Sequence, residues 1–227
     1  MTGPAPINLV FPIFPNLTQL DFMGPVQFLS RLPGAVVHVA AATLAPVPTD
    51  CNVALVPNVT FADCPQADIL CVPGGHGVRE ALHDGATVAF IAAQAPGARW
   101  VTSVCTGAFL LGAAGLLNGR RATCHWAYTH LLPMVGAVHQ PGRVVEDGNV
   151  ITAGGVTSGI DFALTLIARV AGEDVARAIQ LALEYDPAPP FPGGHPDSSG
   201  AALVDALKAQ VYSRAAEDMR AALERLS

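Results

Sequence analysis

Charge is scarce in this chain: only 13% of its 227 residues are Asp, Glu, Lys or Arg, against 51% hydrophobic. The water-facing area is short of charge, so some apolar surface is expected to be covered in an oligomer, most simply a homodimer. Basic residues are the scarcer sign, 12 Lys plus Arg against 18 Asp plus Glu for a formal charge of −6. That balance leaves no basic footprint for phosphate backbones or anionic lipid, so neither nucleic acid nor membrane is an expected partner. A long apolar leader is missing as well. Met1–Pro6 lacks a charged start and Ile7 to Phe14 is interrupted by Pro12, which predicts a cytoplasmic protein with no transmembrane span. Neither C-x-x-C nor H-E-x-x-H occurs, and Cys64 and Cys71 stand too isolated for zinc, so no metal is expected. Five cysteines, an odd number without a regular framework, suit a reducing compartment where thiols stay free. Cys51, Cys64, Cys71 and Cys124 read as structural or incidental.

What is present alternates. Ile7 to Phe11 reads as a strand, Leu20 to Leu32 carries apolar residues at helical spacing, and Ala35 to Ala41 reads as a second strand. Residues 44–61 look like short strands in a loop-rich excursion. Asp68 to Val72 is a continuous apolar run ending in Pro73-Gly74-Gly75, the pattern of a strand buried on both faces. A helix is predicted over 86–95, a strand over Arg99 to Val104, and a helix over Gly107 to Leu116. Val144 to Thr152 places an Asp-Gly-Asn turn between two β-prone runs, a hairpin signal. Helices follow over Ile160 to Val170 and Asp174 to Tyr185. Such alternation predicts a doubly wound α/β fold with a mostly parallel sheet flanked by helices. Residues 1–190 make one domain. From Asp186 to Gly194 four prolines exclude regular structure, and residues 191–227 read as an arm. Its last stretch carries Leu203, Leu207, Val211 and Ala215 at helical spacing, so it is expected to dock on the body or on a second subunit.

The stretch with most chemistry is Ser103-Val104-Cys105-Thr106-Gly107, where a buried strand turns sharply into a helix. This S-x-C-x-G pattern is a thiol counterpart of the G-x-S-x-G nucleophile elbow. Unpaired N–H groups and the positive dipole end of the helix favour the thiolate there. A buried cysteine that only fills space is the plainer alternative.

Pro73-Gly74-Gly75, the Cys105 elbow, Ala122-Thr123-Cys124-His125-Trp126 and Gly154 to Asp161 together resemble the ThiJ/PfpI superfamily. That likeness covers about residues 7 to 185 and implies a flavodoxin-like fold similar to the class I glutamine amidotransferase domain. Gln19 to Pro25, Phe61 to Pro65, Val101 to Gly107 and Leu183 to Phe191 extend the resemblance to the isocyanide hydratase branch. The resemblance implies a cofactor-free enzyme in which Cys105 is the nucleophile, Asp21 the acid/base, and Thr106 a further contributor. Its reaction would add water to an isocyanide and release an N-substituted formamide. Peptidase-like and many chaperone-like branches carry histidine directly after the cysteine, where this chain has Thr106. A glyoxalase or deglycase acting on small aldehydes, and a non-enzymatic redox sensor with an oxidisable Cys105, stay open as alternatives. AraC-type regulators share the core but add a helix-turn-helix that is not seen here.

Each site residue has a plainer reading. Asp21 opens a helix and serves equally as an N-cap. Gly75 is a tight-turn residue, or its N–H joins that of Thr106 to hold developing negative charge. Thr106 starts the elbow helix, or its hydroxyl orients the sulfur or a substrate nitrogen. Gly154 and Val156 precede a helix whose start is expected to face Cys105, where small residues let backbone approach closely. His125, beside Trp126, is the obvious base near a cysteine but reads equally as a packing residue, and is left outside the catalytic set.

Overall fold

The computed structural model describes residues 6–226. Strand β1 (Ile7–Pro12) leads to α1 (Gln19–Leu29) and β2 (Ala35–Ala41). The excursion holds β3 (Val47–Pro48), β4 (Ala54–Leu55) and β5 (Val59–Thr60), followed by β6 (Ile69–Val72). Two helices, α2 (Val78–Asp84) and α3 (Ala86–Gln94), precede β7 (Trp100–Val104) and α4 (Gly107–Ala113). Next come β8 (Arg121–Ala122), a 3₁₀ segment over Trp126–Val135, β9 (Val138–His139), and the hairpin β10 (Val144–Asp147) with β11 (Val150–Ala153). The chain closes with α5 (Ser158–Ala171), α6 (Glu173–Ala182), α7 (Pro196–Ser199), α8 (Ala201–Leu207), a π-helical segment Lys208–Tyr212, and α9 (Ser213–Glu224).

A seven-stranded sheet in the order β10-β11-β7-β6-β1-β2-β5 forms the centre. Its neighbours pair in parallel except for the antiparallel β10–β11 edge. Helices α1, α5 and α6 pack together, as do α2, α3 and α4, so the central strands are covered on both faces. That explains why β6 and β11 are buried along their whole length, and why β6 reads as an unbroken apolar run.

Helix α2 went unread in the sequence. Val78, Ala81 and Leu82 do have helical spacing, but the element is only seven residues long and directly follows a glycine-rich loop. The arm lies partly against the body. Leu203 is 53% exposed and Leu207 37%, while the residues buried against the body are Met219, Ala222 and Leu223. Ala215, the last residue of the predicted stripe, packs against the core just after the π-helical segment. Helix α9 rests on α2 and on the Trp126–Val135 segment.

Candidate active site

Four loops meet at the carboxyl end of the sheet, following β11, β7, β6 and β1, which are adjacent in that order. Open α/β sheets bind ligands at this end. Cys105 follows β7 directly, with φ at +57°, a left-handed backbone that a side chain rarely adopts. Its N–H donates to the carbonyls of Gly154 (2.8 Å) and Ala153 (3.1 Å), which hold the strained turn in place. Helix α4 starts close beneath because residue 107 is glycine; a Cβ there would lie 2.4 Å from the Val72 carbonyl oxygen.

Asp21 comes from the first turn of α1 and is fully buried. The capping alternative does not hold, since Thr18 occupies the N-cap and the Asp21 Oδ2 instead accepts the Gly74 N–H at 3.0 Å. Its Oδ1 has no hydrogen-bond partner. The Cys105 thiol acts on the carboxyl as a nearby donor, although the pair does not meet full hydrogen-bond geometry. Burial pushes the Asp21 pKa from 3.8 up to about 7, against the lowering effect of Gly74 and Cys105.

The Cys105 thiol is pushed well above its ordinary range, first by burial and then by the charge of Asp21. The N–H groups of Val156 and Thr106 act in the opposite direction and are outweighed. Burial thus works against the helix N-terminus, which was expected to favour the thiolate. Desolvation is the larger effect.

Thr106 and Gly75 are tied to each other. The Thr106 Oγ1 accepts the Gly75 N–H at 2.9 Å and donates to the Gly75 carbonyl at 3.2 Å. The Gly75 N–H is thus already engaged and does not point freely at a substrate, contrary to the oxyanion expectation. The same bonds commit the Thr106 hydroxyl to shaping the loop. Gly75 itself has φ at +128°, and a Cβ on it would lie 2.2 Å from the Thr18 nitrogen. Gly74 went unassigned in the sequence although it lay in the quoted Pro73-Gly74-Gly75 run. A Cβ on Gly74 would sit 2.5 Å from the Thr106 nitrogen and 2.9 Å from the Asp21 Oδ2, so only glycine fits between them.

Gly154 supports the elbow through its carbonyl rather than by being small, since a Cβ there would meet nothing closer than 3.6 Å. The close approach belongs to Gly155, where a Cβ would lie 2.6 Å from the His125 ring. Val156 lines the cavity over Cys105, with φ at +25°.

That cavity measures about 550 Å³. Cys105, Thr106, Gly75, Val156, His125 and Tyr128 line it. The arm supplies Val211, Tyr212 and Met219, and the charged groups Asp50, Arg79, Arg214 and Asp218 also line it. His125 is held neutral, its pKa lowered to about 4 by burial and by His76. Its Nδ1 accepts the Ala127 N–H at 3.3 Å, which leaves the ring proton on Nε2. It is therefore not a base poised for the thiol. Among the described residues no cluster of His, Cys, Asp or Glu is placed to hold a metal, and no helix is long and apolar enough to cross a membrane.

The sequence profile of the DJ-1/PfpI family matches residues 8–169, the stretch that supplies Asp21, Gly74, Cys105 and Val156. The chain belongs to the DJ-1/PfpI family. Among curated family relatives, an isonitrile hydratase of Pseudomonas putida is 52% identical over 88% of this chain and 87% of its own length. The crystal structure of a ThiJ/PfpI family protein from Pseudomonas syringae superposes with a TM-score of 0.93 at 37% identity, covering 96% of this chain and 91% of that one. A DJ-1 superfamily protein of Salmonella typhimurium, solved as a cysteine-to-alanine mutant, gives 0.70 at 28% identity over 80% of this chain and all of its own. The family profile ends before the arm, whereas 96% coverage by the Pseudomonas syringae structure leaves room for only a few unmatched residues.

Proposed function

We propose that this protein is an isocyanide hydratase, adding water to R–N≡C to give the formamide R–NH–CHO. The observation that carries the reading is 52% identity to a named isonitrile hydratase along nearly the whole of both chains. Cys105 is the nucleophile and Asp21 the acid/base. Above about pH 7 the Asp21 carboxylate takes the thiol proton while sulfur bonds to the terminal carbon of the isocyanide. Asp21 then delivers that proton to the same carbon, leaving the thioimidate R–N=CH–S–Cys. Water adds to this carbon, the nitrogen gains one proton, and the C–S bond breaks. The other water proton returns to sulfur as the formamide leaves, so one water is consumed and no oxidant or cofactor is needed.

In this reading Thr106 and Gly75 hold the loop that fixes Asp21 through Gly74, and Gly154 and Val156 hold the elbow. Residues 1–190 are the catalytic domain and 191–227 its arm. A cytoplasmic homodimer accords with the low charge and with the exposed apolar side chains of Leu181 and Phe191. The test is formamide formation from a simple aryl isocyanide by the purified protein, with Cys105→Ala as control. Turnover that depends on Cys105 supports the reading. A protein inert to isocyanides but active on small aldehydes would replace it.

A further inference from the structure

Part of the wall of the cavity that Cys105 lines comes from the arm, outside the stretch matched by the family profile. Tyr212 ends the π-helical segment. Single π turns inside helices redirect side chains and are frequent at functional sites. Here the turn carries the Tyr212 ring into an aromatic nest. Its centroid lies 5.1 Å from His125, 5.1 Å from Trp126 at 73°, and 6.1 Å from Tyr128 at 83°. Two of these contacts are edge-on, the arrangement aromatic quadrupoles favour. The wall is anchored from behind by buried Met219, Ala222 and Leu223, and by the Arg79–Asp218 pair at 2.8 Å. The ring is thus fixed before any ligand arrives.

An isocyano group has two heavy atoms, and a cavity of about 550 Å³ is far larger than it needs. The remainder must accommodate the substituent R, and the large apolar and aromatic side chains that line the cavity include Tyr128, Tyr212, Val211 and Met219. We propose that Tyr212, presented by the arm, is a specificity-determining residue that packs against the substituent of the substrate and selects isocyanides with an aryl or other bulky apolar R group. The proposal rests on the hydratase reading for its substrate. Burial, and after it Cys105, raises the Tyr212 pKa, in keeping with the two residues lining one cavity.

The experiment compares wild type, Tyr212→Ala and Tyr212→Phe with 2-naphthyl isocyanide and ethyl isocyanide. In Tyr212→Ala the KM for the naphthyl compound should rise by about tenfold with kcat little changed, and the KM for ethyl isocyanide should rise by much less. Tyr212→Phe keeps the ring and should restore the naphthyl KM. An equal loss for both substrates, or no loss for either, overturns the proposal. A second readout does not need the hydratase reading: the rate at which N-phenylmaleimide and N-ethylmaleimide label Cys105, followed by peptide mass spectrometry. The phenyl-to-ethyl rate ratio should fall about three- to tenfold in Tyr212→Ala and recover in Tyr212→Phe. An unchanged ratio overturns the placement of Tyr212 against the ligand even if isocyanides are hydrated. A changed ratio without any isocyanide turnover keeps the wall and removes only the substrate class.

Discussion

The two sides of the cavity are built in opposite ways. On the sheet side, Asp21, Gly74, Thr106 and Cys105 sit where the chain leaves adjacent parallel strands, and the side chains of Asp21, Thr106 and Cys105 are buried. On the arm side, Val211 is 47% exposed and Tyr212 half-buried, on helices held to the body by a few apolar contacts and one exposed ion pair. The first arrangement leaves no slack, as chemistry at one sulfur requires. The second can change its side chains without disturbing the fold, which suits the choice of a substituent.

Substituting the sheet side should therefore produce large, coupled effects. In Asp21→Asn, hydration of an aryl isocyanide should fall by about 10²- to 10⁴-fold, and the rise of kcat/KM with pH through about 7 should disappear. Stability should move the other way. The unfolded chain releases the Asp21 proton near pH 3.8 and the folded chain near 7, so the folded state binds more protons between these values. Stability contributed by this group is thus lost as pH rises through that interval, by up to roughly 4 kcal/mol. Urea unfolding at pH 5 and pH 8 should show Asp21→Asn more stable than wild type mainly at the higher pH. A variant that loses activity and stability together would place Asp21 in a structural role.

Gly74→Ala should destabilise by about 3 kcal/mol, because the added Cβ meets the Thr106 backbone as well as the Asp21 carboxylate. Thermal unfolding with parallel activity measurements would show both falling. Thr106→Val leaves the buried Gly75 N–H without its acceptor and should cost about 1–2 kcal/mol, with Thr106→Ser close to wild type. On the arm side, Asp218→Asn should change stability by less than about 1 kcal/mol, since both partners of the pair are over 40% exposed. A loss comparable to that of Gly74→Ala would break the contrast between the two sides.

The same contrast explains what could be read in advance. Strand β2 has the ends its apolar run suggests, and β6, β7 and the β10–β11 hairpin lie where unbroken or turn-punctuated β-prone runs place them. Cys105 was legible because an elbow is a local event: strand, turn and helix follow one another in the chain. The engagement of Gly75 with Thr106 was not, for it joins loops 31 positions apart and depends on where a hydroxyl points. The rise in the Cys105 pKa was equally hidden, because burial by the surrounding core outweighs a helix terminus that is visible locally. Tyr212 was hidden for a different reason. Helical spacing singles out aliphatic positions, so the stripe of Leu203, Leu207, Val211 and Ala215 stood out and the tyrosine beside Val211 in the cavity lining did not.

The most direct measurement is rapid-quench mass spectrometry of the protein mixed with an aryl isocyanide, followed by peptide mapping. A transient mass gain of one isocyanide on Cys105, decaying as the formamide appears, is the predicted result. Formamide released while Cys105 stays unmodified, or at an undiminished rate in Cys105→Ala, would contradict covalent hydration at this sulfur.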